Sequence, residues 1–106
     1  MKLGIVLSTN EPEIVWNSFR FGNTSLKAKH IVTVFLMNKG VEVDNIKNKK
    51  YNIKEQINMF IKNKGKILAC GTCPNLRHKK SSICPASTME ELLKIVEESD
   101  KILTFG

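Results

Sequence analysis

Apolar positions along the chain follow two rhythms. Near-continuous apolar runs occupy residues 2–7, 30–37, 66–70 and 101–105, the second of them rich in Ile, Val and Phe. Runs of this length without polar alternation predict strands covered on both faces. Between them, apolar residues recur at three- and four-residue spacing. The sets are Ile14, Val15, Phe19 and Leu26, then Ile53, Ile57, Phe60 and Ile61, then Leu92, Leu93, Ile95 and Val96. That spacing places each set on one face of a helix.

The boundaries carry their own chemistry. Ser8-Thr9-Asn10-Glu11-Pro12 is a polar turn in which Ser8, Thr9 or Asn10 can cap the first helix. Pro12 suits its first turn, and Glu11 and Glu13 suit the positive end of its dipole. Gly22 and Asn23, both poor helix formers, predict a bend or thinning in its second half. Asn38-Lys39-Gly40 closes the second strand, Val41-Glu42-Val43 reads as a short extended piece, and residues 44–52 as a lysine-rich surface loop. Asn52 caps the second helix and Gly65 stops it. Thr88 with Glu91 three residues on has capping-box spacing for a third helix ending near Ser99. Strands alternating with helices predict a parallel sheet with right-handed crossovers, an α/β fold of three layers. No repeat, linker or low-complexity tract interrupts it, so residues 1–106 are expected to form one domain.

Charge changes this picture little. The net charge of +7 comes from seventeen Lys and Arg against ten Asp and Glu, and only Arg20 and Arg77 are arginines. The lysines are spread out, with small clusters at Lys47, Lys49 and Lys50 and at Lys79 and Lys80 beside Arg77 and His78. A solvated surface is the reading preferred over a nucleic-acid site, which would draw more on arginine. The opening apolar stretch is too short for a signal peptide, and no run reaches the length that spans a bilayer. A cytoplasmic protein without a membrane partner is therefore expected. In that compartment three cysteines are reactive or metal-binding more often than disulfide-bonded.

Those cysteines lie close together. Lys66-Ile67-Leu68-Ala69-Cys70 ends abruptly at Gly71-Thr72-Cys73-Pro74, and Cys84 follows eleven residues after Cys73. A strand ending at Cys70 lifts its thiol to the carboxyl edge of the sheet, where open α/β folds bind ligands. Three chemistries fit. Cys70, Cys73, His78 and Cys84 have the donor types for a tetrahedral zinc site with spacing C-x2-C-x4-H-x5-C. The Cys-x-x-Cys pair fits a dithiol redox switch, and a Cys70–Cys73 or Cys73–Cys84 disulfide stays open as well. Alternatively Cys70 acts as a thiolate nucleophile carrying sulfur as a persulfide. The backbone N–H groups of Gly71 and Thr72 and the charge of Arg77 and His78 would then support the anion. A small-ligand site beside Ser8, Thr9 and Asn10, facing the same crevice, is a weaker option because no phosphate-binding glycine pattern occurs there. Trp16, Asn17, Phe21 and Met37 are assigned to packing, with a pocket or an oligomer interface as the alternative.

The chain resembles the DsrE/DsrF-like family of sulfur-relay proteins, which includes TusD- and YchN-related members. The resemblance rests on Gly4-Ile5-Val6-Leu7-Ser8-Thr9-Asn10-Glu11-Pro12, on Val34-Phe35-Leu36-Met37 with Gly40-Val41-Glu42, and on Asp100 to Phe105. Its specific part is Ala69-Cys70-Gly71-Thr72-Cys73 with Arg77. It implies a small flavodoxin-like fold and sulfane-sulfur transfer through Cys70, with sulfur donor and acceptor proteins as partners. It also implies a homo-oligomer, often a trimer or hexamer, and calls for no cofactor. Cys73 and Cys84 are thiols additional to the single acting cysteine of a TusD-like loop. Cys73 is the first candidate to resolve a persulfide, while Asn10, Gly71, Thr72, Arg77, His78 and Cys84 are supporting residues. The competing reading is a zinc-bound or purely structural binding module with a basic face for RNA or protein.

Overall fold

A computed structural model describes residues 1–70 and 86–106. Five strands, β1 (Lys2–Leu7), β2 (Ile31–Leu36), β3 (Lys66–Cys70), β4 (Ala86–Ser87) and β5 (Lys101–Phe105), form one sheet of order β4-β3-β2-β1-β5. All pairings are parallel. The helices are α1 (Pro12–Lys27), α2 (Ile53–Lys62) and α3 (Met89–Glu98), and a 3-10 segment spans Asn38–Asn45. Strand parity divides the side chains. Leu3, Ile5, Leu7, Val32, Val34, Leu36, Ile67 and Ala69 share a core with Val15 and Phe19 of α1 and with Ile53, Ile57 and Phe60 of α2. On the opposite face, Phe35, Leu68 and Cys70 pack under Leu92 and Ile95 of α3. These are the three layers of an α/β fold.

Several local expectations are corrected. The cap of α1 is Glu11, whose carboxylate accepts from the Ile14 N–H at 2.8 Å. The shorter side chains upstream are used elsewhere: Thr9 Oγ1 accepts from the Glu11 N–H, and Ser8 Oγ donates to the Phe105 carbonyl. Helix α1 runs on through Gly22 and Asn23 to Lys27. Tertiary contacts offset their poor propensity. Gly22 lets α2 approach, since a Cβ there would lie 2.9 Å from Phe60 Cε1. Asn23 donates to Gln56 across the same interface.

Val41-Glu42-Val43 is not extended but lies within the 3-10 segment. Both Val41 and Val43 are buried in the core from within this segment. Ile14 and Ile61, expected to face inward, are exposed at the rim of their helices. Helix α3 contributes no fully buried residue. Leu92 and Ile95 are half-buried on the sheet, whereas Leu93 is 57% and Val96 47% exposed. Its apolar arc is wider than the strip of sheet it covers. The other predicted caps hold: Asn52 Oδ1 accepts from the Glu55 N–H and Thr88 Oγ1 from the Glu91 N–H.

Candidate functional site

Cys70 is the last residue of β3 and sits at the carboxyl edge of the sheet. Its neighbours follow from register. Phe35 lies opposite Leu68 on β2, so by parity Met37, two residues on, shares the face of Cys70. Met37 packs against the same cluster. Cys70 itself is 8% exposed and clusters with Phe35 and Leu68, and Leu92 and Ile95 of α3 pack against that cluster. An apolar enclosure of this kind raises the cost of a thiolate, and a positive dipole end lowers it.

Such a dipole end is close by. Ser87 of β4 pairs with Cys70 in the parallel register, and α3 begins two residues later behind its Thr88 cap. The amino terminus of α3 is thus delivered to the edge where β3 ends. Its aligned peptide groups favour negative charge there. Glu90 and Glu91 occupy the same first turn, but both are exposed, so solvent screens them more than it screens the helix backbone.

The rest of this edge is built across β1 and β2. The chain leaves β2 at Met37, whose N–H donates to the Leu7 carbonyl, and turns back through Asn38 at φ 52°. Gly40 then crosses the end of β1 so closely to the Leu7 carbonyl that a Cβ has no room. This brings Glu42 to Asn10, whose Nδ2 donates to Glu42 Oε1 at 3.1 Å. Asn10 therefore stands beyond the carboxyl end of β1, a strand separated from the Cys70 strand β3 by β2. Its amide ties the β1–α1 loop to the 3-10 segment. Glu42 was absent from the sequence-based candidates, because only folding shows that the two turns meet. The switch point of the topology, between β1 and β5, is filled by Ser8, whose N–H and hydroxyl both donate to the Phe105 carbonyl.

Gly71, Thr72, Cys73, Arg77, His78 and Cys84 lie outside the described residues. So does all but Cys70 of the proposed zinc set. Among the described residues, no group of three or more His, Cys, Asp or Glu side chains could hold a metal ion. No described helix is long and apolar enough to cross a membrane. Of the four residues assigned to packing, Met37 joins the Cys70 cluster and Trp16 packs on Tyr51 with ring centroids 5.0 Å apart. Asn17 accepts from Arg20 instead, and Phe21 is exposed.

Comparison with known proteins agrees with this architecture. The model of the DsrE/DsrF-like family matches residues 1–105. Among solved structures, a conserved protein of unknown function from Bacteroides thetaiotaomicron superposes with a TM-score of 0.78 at 20% identity. The superposition covers 97% of this chain and 93% of the other. At that identity the likeness is one of fold. No curated protein matches the sequence.

Proposed function

Because the chain belongs to the DsrE/DsrF-like family, we propose that it is a sulfur-relay protein with Cys70 as the carrier of sulfane sulfur. One observation carries this assignment to Cys70: the residue terminates β3 at the carboxyl edge, beside the strand that leads into the amino end of α3. That placement supports a thiol at the edge where open α/β folds bind ligands and beside a helix dipole that favours its anion.

In the proposed cycle the Cys70 thiolate attacks the terminal sulfur of a donor persulfide, R–S–SH. The donor's S–S bond breaks, Cys70–S–SH forms and the donor leaves as its thiolate. An acceptor thiolate then attacks the terminal sulfur of Cys70–S–SH, which restores Cys70 as thiolate and loads the acceptor. No net oxidation accompanies either transfer. A branch uses Cys73: its thiolate attacks the inner sulfur, giving a Cys70–Cys73 disulfide and releasing hydrosulfide. The sulfane sulfur is reduced and the two thiols are oxidised, so a dithiol reductant must reset this branch.

The family match along nearly the whole chain supports a single domain as the functional unit. Assembly of like copies belongs to the same proposal. Met89, Leu93 and Val96 form an exposed apolar stripe at i, i+4, i+7 on α3. That helix carries four glutamates against one lysine, in a chain of net charge +7. Acidic α3 complements the basic remainder of a second copy, whereas packing α3 on α3 would set like charges together.

Intact mass before and after exposure to a persulfide donor tests the central claim. A gain of about 32 Da per chain, removed by dithiothreitol and absent from Cys70→Ser, is expected. Equal loading of Cys70→Ser would sink the assignment. Stoichiometric zinc, with unfolding on chelation, would favour the binding module instead.

A further inference from the structure

Strand β5 lies at the edge of the sheet, and α1 stops short of covering it. Register sets Leu103 opposite Ile5, on the face that packs under α1 and α2. Ile5 is fully buried, yet no residue of β5 is. The uncovered strip forms a groove of about 630 Å³ between α1 and β5. Leu3 and Leu103 line it from the sheet, and Phe21 and Ala28 line it from α1. Phe21 stands 41% exposed there. Apolar surface gathered in one concave strip points to a contact site, as scattered apolar residues do not.

The banks of this groove are basic. Among the described residues no Asp or Glu lines it, whereas the exposed Lys101 does. Asp100, beside Lys101 in the chain, accepts from the Lys2 N–H at 2.7 Å. On α1, Thr24 lines the groove, and the exposed Arg20 and Lys27 share its flank at four residues before and three after. Seven residues separate these two cations, two helical turns or about 10 Å. The outer face of α3 carries the opposite sign at the same interval. Exposed Glu90 and Glu97 lie three residues before and four after Leu93, beside the stripe of Met89, Leu93 and Val96. An apolar stripe edged by two carboxylates thus matches an apolar groove edged by two cations.

We propose that α3 of one copy docks lengthwise in the α1–β5 groove of a second copy. Leu93 enters the apolar strip beside Phe21 and Leu103, while Glu90 and Glu97 pair with Arg20 and Lys27. The docking rests on the assembly of like copies through α3 proposed for this chain, and it names the surface that receives the helix. Within one copy, α3 packs on the opposite face of the sheet from α1, so a chain cannot fill its own groove. The contact joins two different surfaces and is therefore head-to-tail. Each docked pair keeps one free helix and one free groove for further copies.

Complementation between two broken copies tests this. Phe21→Glu spoils the groove and Leu93→Glu spoils the helix, each at an exposed position. In sedimentation velocity each variant alone should run as a single 12.0 kDa chain. Their equimolar mixture should give a species of two chains and nothing larger, because one intact helix meets one intact groove. Circular dichroism checks that each variant folds. The exposed pair Arg20→Glu with Lys27→Glu, which breaks the groove by charge alone, replaces Phe21→Glu if that variant does not fold. A groove variant that assembles like the parent, or a mixture that stays as single chains, overturns the docking. Assembly through α3 then still stands if Leu93→Glu alone runs as one chain. A parent that sediments as one chain removes α3 assembly and the docking with it.

Discussion

Gly40 lies against the main-chain carbonyl of Leu7 with no room for a Cβ between them. This contact seats the 3-10 segment across the end of β1, and it lets Glu42 meet Asn10. Backbone cannot yield as a flexible side chain does. Gly40→Ala should therefore cost about 1–3 kcal/mol, as overpacking of a well-filled site does. Urea unfolding read by circular dichroism measures it, and a midpoint equal to the parent's would show that the crossing is looser than described.

The Asn10–Glu42 bond has a separate signature. Asn10→Ala should lose about 1 kcal/mol of stability while leaving sulfur loading on Cys70 near the parental level. A double-mutant cycle with Glu42→Gln isolates the pair from the other contacts of Glu42. A coupling energy of zero would deny the bond its role in pinning the loop.

The two proposed fates of the persulfide separate on Cys73. Cys73→Ser should load sulfur as well as the parent yet release no hydrosulfide in the absence of an acceptor. Mass spectrometry follows the loading, and a sulfide-selective electrode follows the release. Hydrosulfide appearing at the parental rate would remove Cys73 from the branch and turn attention to Cys84.

Leu93 tests assembly. It is 57% exposed in the centre of the α3 stripe, so Leu93→Glu should leave the fold intact. In sedimentation velocity the parent should run as a multiple of its 12.0 kDa chain, and the variant as a single chain. A parent that sediments as one chain at every concentration, or a variant that assembles equally well, would rule out α3 as the interface.

The order of the four longer strands and the three α-helices needed only the sequence, because burial on both sides of a sheet and on one side of a helix leaves different periods in the chain. The runs at 2–7, 66–70 and 101–105 and the stripe Ile53, Ile57, Phe60 are examples. The caps Asn52 and Thr88 were legible for a related reason: each satisfies an N–H only three residues away. The position of Cys70 at a strand end was legible too, since the apolar run stops there. What depends on distant segments was hidden. Helix α1 passes through Gly22 and Asn23 because α2 receives them, and Glu11 caps it because Thr9 and Asn10 are engaged elsewhere. Val41 and Val43 lie in a 3-10 segment that is seated where Gly40 meets the Leu7 carbonyl. The Asn10–Glu42 bond, the strand β4 that brings α3 to Cys70, and the bonds from Asn23 to Gln56 each join residues far apart in the chain. Local spacing records which surfaces a segment will bury, whereas only the packed structure decides which surfaces meet.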